Sequence, residues 1–116
     1  MVGVNGVGKT TTAVNLSASL AVAERRVLLL DLDPQGNATS GLGVERGSFT
    51  QSSYDILLDS LDASTVVRPM PIPNLSLIPA TVDLVGAEME LIDLEDRSHR
   101  LRNALFPLLK DHDFVV

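Results

Sequence analysis

A glycine-rich segment near the start of the chain constrains the fold more than any other feature. Residues 3 to 10 read G-V-N-G-V-G-K-T, which fits the pattern G-x-x-x-x-G-K-[ST]. Glycines at these positions let the backbone turn tightly and direct its N–H groups inward, where they form a nest for an anion. A helix predicted from Thr10 to Ala23 adds a dipole that favours negative charge at the same place. The segment therefore predicts a phosphate-binding loop.

The side chains of this loop suit a nucleoside triphosphate with magnesium. We expect Lys9 to reach the β- and γ-phosphate oxygens, and the Thr10 hydroxyl to be a hard oxygen ligand for Mg²⁺. Thr11 is placed to hydrogen-bond the α-phosphate. An ordinary glycine-rich turn is the simpler alternative, but the helix and the buried strand that follow favour phosphate binding. The expected nucleotide-binding residues are Asn5, Gly6, Val7, Gly8, Lys9, Thr10 and Thr11.

The rest of the chain alternates apolar runs with helical patterns. The runs predict strands at Val27–Leu30 and Leu75–Ile78, and the opening of another at residues 114–116. An extended connection is expected over residues 66–73. Besides Thr10–Ala23, helices are predicted from Ser52 or Ser53 through Leu61, from Thr81 through Ile92, and from Ser98 through Leu108 with a kink or early stop at Pro107. This alternation predicts an α/β fold over residues 1–116 as a single domain, with a P-loop NTPase-type parallel sheet and helices on both faces.

Composition excludes several classes of function. The net charge of −6 argues against nucleic-acid binding by this segment itself, because phosphate-backbone binding needs clustered Lys and Arg. The absence of cysteine excludes disulfides, thiolate metal sites and iron–sulfur clusters. No apolar run approaches the ~20 residues that span a bilayer. We therefore expect a cytoplasmic protein.

A second polar cluster follows the first predicted strand. Residues 31–37 read D-L-D-P-Q-G-N and open a predicted loop from Asp31 to Gly43, at the strand end where ligands bind in open α/β sheets. A carboxylate there can hold a magnesium-bound water or position an attacking water. One of Asp31 and Asp33 could then face the metal while the other anchors the loop. The spacing alone does not separate this from a polar turn with Asx-type bonds to its own backbone.

These segments together resemble the ParA/Soj family of deviant-Walker partition ATPases. The resemblance is carried by G-V-G-K-T-T-T-A-V-N-L-S-A-S-L-A and R-V-L-L-L-D-L-D-P-Q-G-N-A-T-S-G-L-G, and later by N-L-S-L-I-P-A-T-V-D-L-V-G-A-E and H-D-F-V-V. It implies ATP and Mg²⁺, a homodimer that sandwiches ATP, nonspecific DNA binding on the nucleoid, and a ParB-type partner that stimulates hydrolysis. The same resemblance implies that Lys9 and Asp33 are the catalytic residues. It also implies that Thr10 and Asp33 contribute to the magnesium site.

The chain departs from the family pattern in three places. The family's loop begins K-G-G, and Val4 stands where its signature lysine would reach across the dimer. Only Met1 and Val2 precede the loop, where the family has a strand. The chain ends before the family's I-D-x-P-P motif and its DNA-binding C-terminal half. These departures predict an N-terminal portion, truncated at its C-terminus, with little or no ATPase activity of its own.

Other nucleotide-binding families are alternatives. The string G-V-N-G-V-G-K-T-T-T resembles the loop of signal-recognition-particle GTPases, but their D-T-F-R-A-A motif is expected near residue 33, where D-P-Q-G-N stands. A nitrogenase iron protein would require cysteine, and the aspartate loop argues against a MinD-like membrane ATPase. A catalytically inactive nucleotide-binding fragment is a further alternative.

Overall fold

The structure, a computed structural model, describes residues 9–33, 35–45, 48–59, 62–80 and 94–116. Helices and strands alternate through these ranges, as expected, and two short 3₁₀ helices lie at Ala63–Thr65 and Phe106–Asp111. In chain order the other elements are α1 (Lys9–Val22), β1 (Val27–Leu30), α2 (Asn37–Gly41), α3 (Ser53–Asp59), β2 (Arg68–Pro69), β3 (Leu75–Ile78), α4 (Leu94–Leu105) and β4 (Phe114–Val115). The helix predicted from Thr81 lies outside the described residues.

The described strands form a sheet in the order β2-β3-β1-β4. β1 lies inside it and pairs in parallel with both neighbours, with Val27 opposite Leu75 on one side and Phe114 on the other. The strands predicted at Val27–Leu30 and Leu75–Ile78 are confirmed with the same bounds. β1 was recognisable because a central parallel strand is covered on both faces and therefore reads as an unbroken apolar run, whereas the run of β3 is interrupted by Ser76 and is ended by Pro79.

The predicted parallel pairing is found on both sides of β1, and the edge strand β2 adds an antiparallel pair that makes the sheet mixed. Arg68 pairs with Leu77 and Pro69 with Ser76, within the segment that was expected to be only an extended connection. The chain returns from Pro69 to β3 through a short turn that includes Asn74 at a φ of 70°. A parallel pairing would require a crossover of about a dozen residues or more.

Helices cover both faces of the sheet, as predicted, because side chains of β1 alternate between two cores. Val27 and Leu29 face the core that includes Ala21 of α1 and Ala38 of α2. Leu28 faces the opposite core, whose other buried members are Ile56, Ala63, Val66, Ile78, Leu105, Leu108 and Val115. The sheet is therefore the middle layer of three.

The helix α1 approaches the sheet through small side chains. Ser17 is fully buried and Ala21 is 2% exposed, one turn apart on the inner face. Ala13 and Leu20 of the predicted stripe pack against this core, while Leu16 is half-buried. Small residues at the centre of the contact bring the helix axis close to β1.

The start of α3 is a capping box, which confirms the prediction of a serine cap. Ser52 Oγ accepts the Tyr54 N–H at 3.3 Å, and the Ser52 N–H donates to Asp55 Oδ2 at 2.6 Å. Tyr54 and Leu57 are buried as predicted, and Ile56 joins them. The Leu61 end of the predicted stripe and the Leu58 side chain lie outside the described residues.

Two helices differ from the predictions. The loop expected from Asp31 to Gly43 contains the short helix α2. The helix expected to begin at Ser98 begins at Leu94 instead, because acidic residues in its first turn suit the dipole and Asp96 pairs with Arg100 at 3.1 Å. Its regular part ends at Leu105 and continues as a 3₁₀ helix, so the early stop expected at Pro107 is confirmed.

The entries into β1 and β4 are joined by Arg26 and Asp113. The Arg26 N–H donates to Asp113 Oδ2 at 2.8 Å, and its guanidinium lies 3.3 Å from Asp113 Oδ1. The Asp113 N–H donates in return to the Arg26 carbonyl at 2.7 Å. The hydrogen bond from the Arg26 backbone, followed by the one from its side chain, lowers the pKa of Asp113.

A lowered pKa in the folded state makes this contact sensitive to acid. The contribution of Asp113 to stability is present above the unfolded pKa and is lost as the pH falls through the folded pKa. We expect Asp113→Asn to lower the melting temperature by a few degrees at neutral pH, with the difference shrinking as the pH falls below the usual aspartate pKa and through the lowered pKa of the folded state. Thermal denaturation followed by circular dichroism measures this, and Asp111→Asn, at an exposed neighbour, is the matched control. A difference that persists unchanged in acid would contradict the prediction.

Candidate functional site

The start of α1 and the end of β1 lie at the same edge of the sheet. α1 ends at Val22, β1 begins at Val27, and the helix packs against the strand. So short a connection reverses the chain, and the helix therefore runs antiparallel to the strand. The N-terminus of α1 at Lys9 and the exit of β1 at Leu30 consequently share the edge where ligands bind in open α/β sheets.

The structure describes only the end of the predicted phosphate loop. Asn5, Gly6, Val7 and Gly8 lie outside the described residues, as does the Lys9 side chain. Lys9 begins α1, and the half-buried Thr10 and exposed Thr11 follow in its first turn. The backbone there matches the helix N-terminus that the phosphate loop requires. The contacts of these residues with a nucleotide and a metal stay predictions.

Asp31 is buried at the exit of β1 and anchors the loop that follows. It is 3% exposed, and both of its carboxylate oxygens accept hydrogen bonds. Oδ1 accepts the Asp33 N–H at 3.0 Å, while Oδ2 accepts the Thr39 N–H at 2.9 Å and the Thr39 hydroxyl at 2.6 Å. Charge-assisted bonds of this kind are stronger than those between neutral groups.

Asp33 is half-buried and closes a tight turn. Its Oδ1 accepts the Gln35 N–H at 3.0 Å, its Oδ2 accepts the Asn37 side-chain amide at 2.8 Å, and its carbonyl accepts the Gly36 N–H at 2.8 Å. Gly36 has a φ of 63°, the left-handed conformation that glycine adopts without strain. The Asx-type bonds considered from sequence are therefore present, and they orient the more accessible of the two aspartates.

Thr39 was not singled out from the sequence, although it ends the D-P-Q-G-N-A-T string. It lies in α2, is 2% exposed, and its hydroxyl accepts the Ala80 N–H at 3.0 Å while donating to Asp31. Ala80 follows β3, the strand beside β1 in the sheet. One hydroxyl thus joins the exits of two neighbouring strands.

Tyr54 is the other residue whose role was missed, because its position fits a simple core stripe. Its hydroxyl donates to the Leu32 carbonyl at 3.2 Å, between the two aspartates in sequence. Burial, followed by the negative charges of Asp31 and Asp33, raises the pKa of Tyr54 to about 12. The phenol therefore stays protonated at neutral pH and remains a hydrogen-bond donor to the loop.

The donor set at this edge suits magnesium held partly by a nucleotide. Within the ranges that the structure describes, no cluster of three or more His, Cys, Asp or Glu side chains could hold a metal alone. Mg²⁺ is commonly bound through one or two protein oxygens together with substrate phosphates and water. The Thr10 hydroxyl and the Asp33 carboxylate are oxygens of that kind, and their roles as metal ligands stay predictions.

Comparison with known proteins identifies the class. The chain belongs to the AAA domain family, which matches residues 4–116. It is 50% identical over 111 residues to the chromosome partitioning protein ParA of Myxococcus xanthus strain DK1622, and 50% identical over 111 residues to the sporulation initiation inhibitor protein Soj of Bacillus subtilis strain 168. Each alignment covers 96% of this chain, and 39% and 44% of the two relatives respectively.

A solved structure has the same fold. Cobyrinic acid a,c-diamide synthase from Mycobacterium smegmatis, with a bound ATP analog and magnesium, aligns with a TM-score of 0.82 and 39% identity. The alignment covers 96% of this chain and 45% of that one. The predicted resemblance to ParA/Soj proteins and the predicted nucleotide-binding α/β fold are confirmed. No helix in the described ranges is long and apolar enough to cross a membrane.

Proposed function

We propose that this chain is the ATP- and magnesium-binding part of a ParA/Soj-type ATPase that segregates bacterial chromosomes or plasmids. The observation that carries the proposal is the aspartate loop, in which Asp33 is held by its own turn at the edge where α1 begins. The 50% identity to a chromosome partitioning protein ParA and to a Soj protein supports it. Residues 1–116 act as one domain, and the intact protein is cytoplasmic and associated with the nucleoid.

The residues take distinct roles in this proposal. The backbone of residues 5–8 and the Lys9 side chain bind the phosphates, and Thr11 bonds the α-phosphate. Thr10 coordinates Mg²⁺, which neutralises phosphate charge as hydrolysis proceeds. Asp33 contributes to the magnesium site and orients the attacking water. The intact protein dimerises around ATP, binds DNA without sequence preference, and is stimulated by a ParB-type partner.

Nucleotide-dependent DNA binding by the intact protein tests this function. We expect ATP with Mg²⁺ to tighten binding to a nonspecific duplex by about tenfold or more, as measured by fluorescence anisotropy. Lys9→Ala should remove the effect of ATP without unfolding the protein. Equal DNA binding with and without ATP would contradict the proposal.

A competition assay in the same samples separates the alternatives. ATP should displace a fluorescent ATP analogue and GTP should not, whereas preferential displacement by GTP favours a signal-recognition-particle type of GTPase. Binding without any phosphate release by the intact protein favours a catalytically inactive nucleotide-binding protein.

A further inference from the structure

Both aspartates at the exit of β1 have hydrogen-bonded carboxylates, but Asp31 is buried whereas Asp33 is only half-buried and its partners are exposed. We propose that Asp31 and Thr39 form a positioning pair: they set the place of Asp33 in hydrolysis, and Asp31 is not a magnesium ligand. The inference rests on the proposed function and deepens it. It assigns contact with water and metal to Asp33 alone among the aspartates of this loop.

The contacts of Asp31 already occupy both of its oxygens. Oδ1 bonds the Asp33 N–H, Oδ2 bonds the Thr39 N–H and hydroxyl, and the side chain is 3% exposed. To reach a metal at the sheet edge, the carboxylate would have to give up these donors in a buried place. Leaving buried donors unpaired is costly, so the carboxylate stays where the loop holds it.

The Thr39 hydroxyl is both a donor and an acceptor, and it therefore connects the end of β1 with the end of β3. It donates to Asp31 at 2.6 Å and accepts the Ala80 N–H at 3.0 Å. Valine has the same shape and can do neither, whereas serine can do both. The segment after β3 is thereby tied to the same carboxylate that holds the Asp33 backbone.

The pair also connects Asp33 to α1, because α2 carries Thr39 and packs against α1. Gly41 of α2 faces Val14 of α1, where a Cβ added at the glycine would stand 3.4 Å from Val14 Cγ2, in van der Waals contact. Asp31 therefore fixes Asp33 from two sides, through the Asp33 N–H directly and through α2 by way of Thr39. A small displacement of a group that positions a reacting water is sufficient for a large loss of rate.

Steady-state ATPase measurements on the intact protein test the pair. We expect Thr39→Val to lower kcat on the order of 10- to 100-fold, with the KM for ATP and the half-saturating Mg²⁺ concentration changed less than about twofold. Thr39→Ser should restore kcat to within about threefold, because it keeps the hydroxyl. Thr50→Val, at an exposed loop threonine, is the matched control and should leave kcat unchanged.

The outcomes distinguish positioning from other roles. An unchanged kcat in Thr39→Val, or no rescue by serine, overturns the proposal. If Thr39→Val does not fold, Asp31→Asn decides: a reduced kcat at an unchanged magnesium requirement supports the pair, and a raised magnesium requirement overturns it in favour of a metal ligand. If the unmodified protein shows no hydrolysis that depends on Lys9, the proposed function fails and this inference fails with it.

Discussion

Replacement of Asp33 by asparagine is expected to abolish ATP hydrolysis while leaving ATP binding intact. Asparagine keeps the size of the side chain and one oxygen acceptor for the bonds from Gln35 and Asn37. It removes the negative charge that would orient the attacking water and serve the metal. We expect the hydrolysis rate to fall by about 100-fold or more, which is the scale of a lost positioned acid–base group.

Two measurements on the intact protein separate binding from turnover. Displacement of a fluorescent ATP analogue reports binding, and release of inorganic phosphate reports hydrolysis. Asp62→Asn is a matched control, because Asp62 Oδ1 accepts the Ser64 N–H at 3.0 Å in a similar Asx turn that follows α3. Hydrolysis by Asp33→Asn at the unmodified rate would contradict the assignment, as would loss of ATP binding with it.

Replacement of Asp31 by alanine is expected to be the most destabilising single change in the loop. It removes the acceptor for the N–H groups of Asp33 and Thr39 and for the Thr39 hydroxyl. Each buried donor left unpaired costs roughly 1–3 kcal/mol, so we expect the free energy of unfolding to fall by about 3–5 kcal/mol. Asp62→Ala, which removes an exposed cap, should cost about 1 kcal/mol.

Denaturant unfolding of single and double variants checks the physical cause. If the loss comes from the Thr39 contact, the effects of Asp31→Ala and Thr39→Val should be less than additive, because the second change removes a donor that the first leaves unpaired. If the two losses in the free energy of unfolding simply add, the stabilising contacts of Asp31 do not involve the Thr39 hydroxyl. A loss below about 1 kcal/mol for Asp31→Ala would contradict the buried anchor altogether.

Much of the sheet could be predicted because its central strands carry their own signal. The run at Val27–Leu30 is apolar on both faces, and the run at Leu75–Ile78 is apolar except for Ser76 and is ended by Pro79. α2 carried no such signal, because Asn, Thr, Ser and Gly are poor helix formers. It forms because it packs against α1 and because Asp31 accepts the N–H and hydroxyl of Thr39. Those contacts are tertiary and have no local pattern.

The different roles of Asp31 and Asp33 likewise could not be predicted from their spacing in the sequence. Asp31 and Asp33 stand two positions apart in the sequence, and the spacing alone left either one as the anchor. The two aspartates differ in burial, which depends on Thr39 and Tyr54. The Tyr54 hydroxyl, on α3, donates a hydrogen bond to the Leu32 carbonyl between the two aspartates. The phosphate-loop motif was easier to recognise, because its chemistry is contained in one continuous segment.

The length and the residue types of the edge strand β2 oppose association with other chains through this sheet edge. A free sheet edge offers unpaired N–H and C=O groups to any extended chain nearby. Here the outer strand of the described sheet has only two residues, Arg68 and Pro69. Proline has no N–H to offer, and a long charged side chain beside it opposes the approach of another strand. This side of the sheet is thus protected against strand addition and against aggregation through β-pairing.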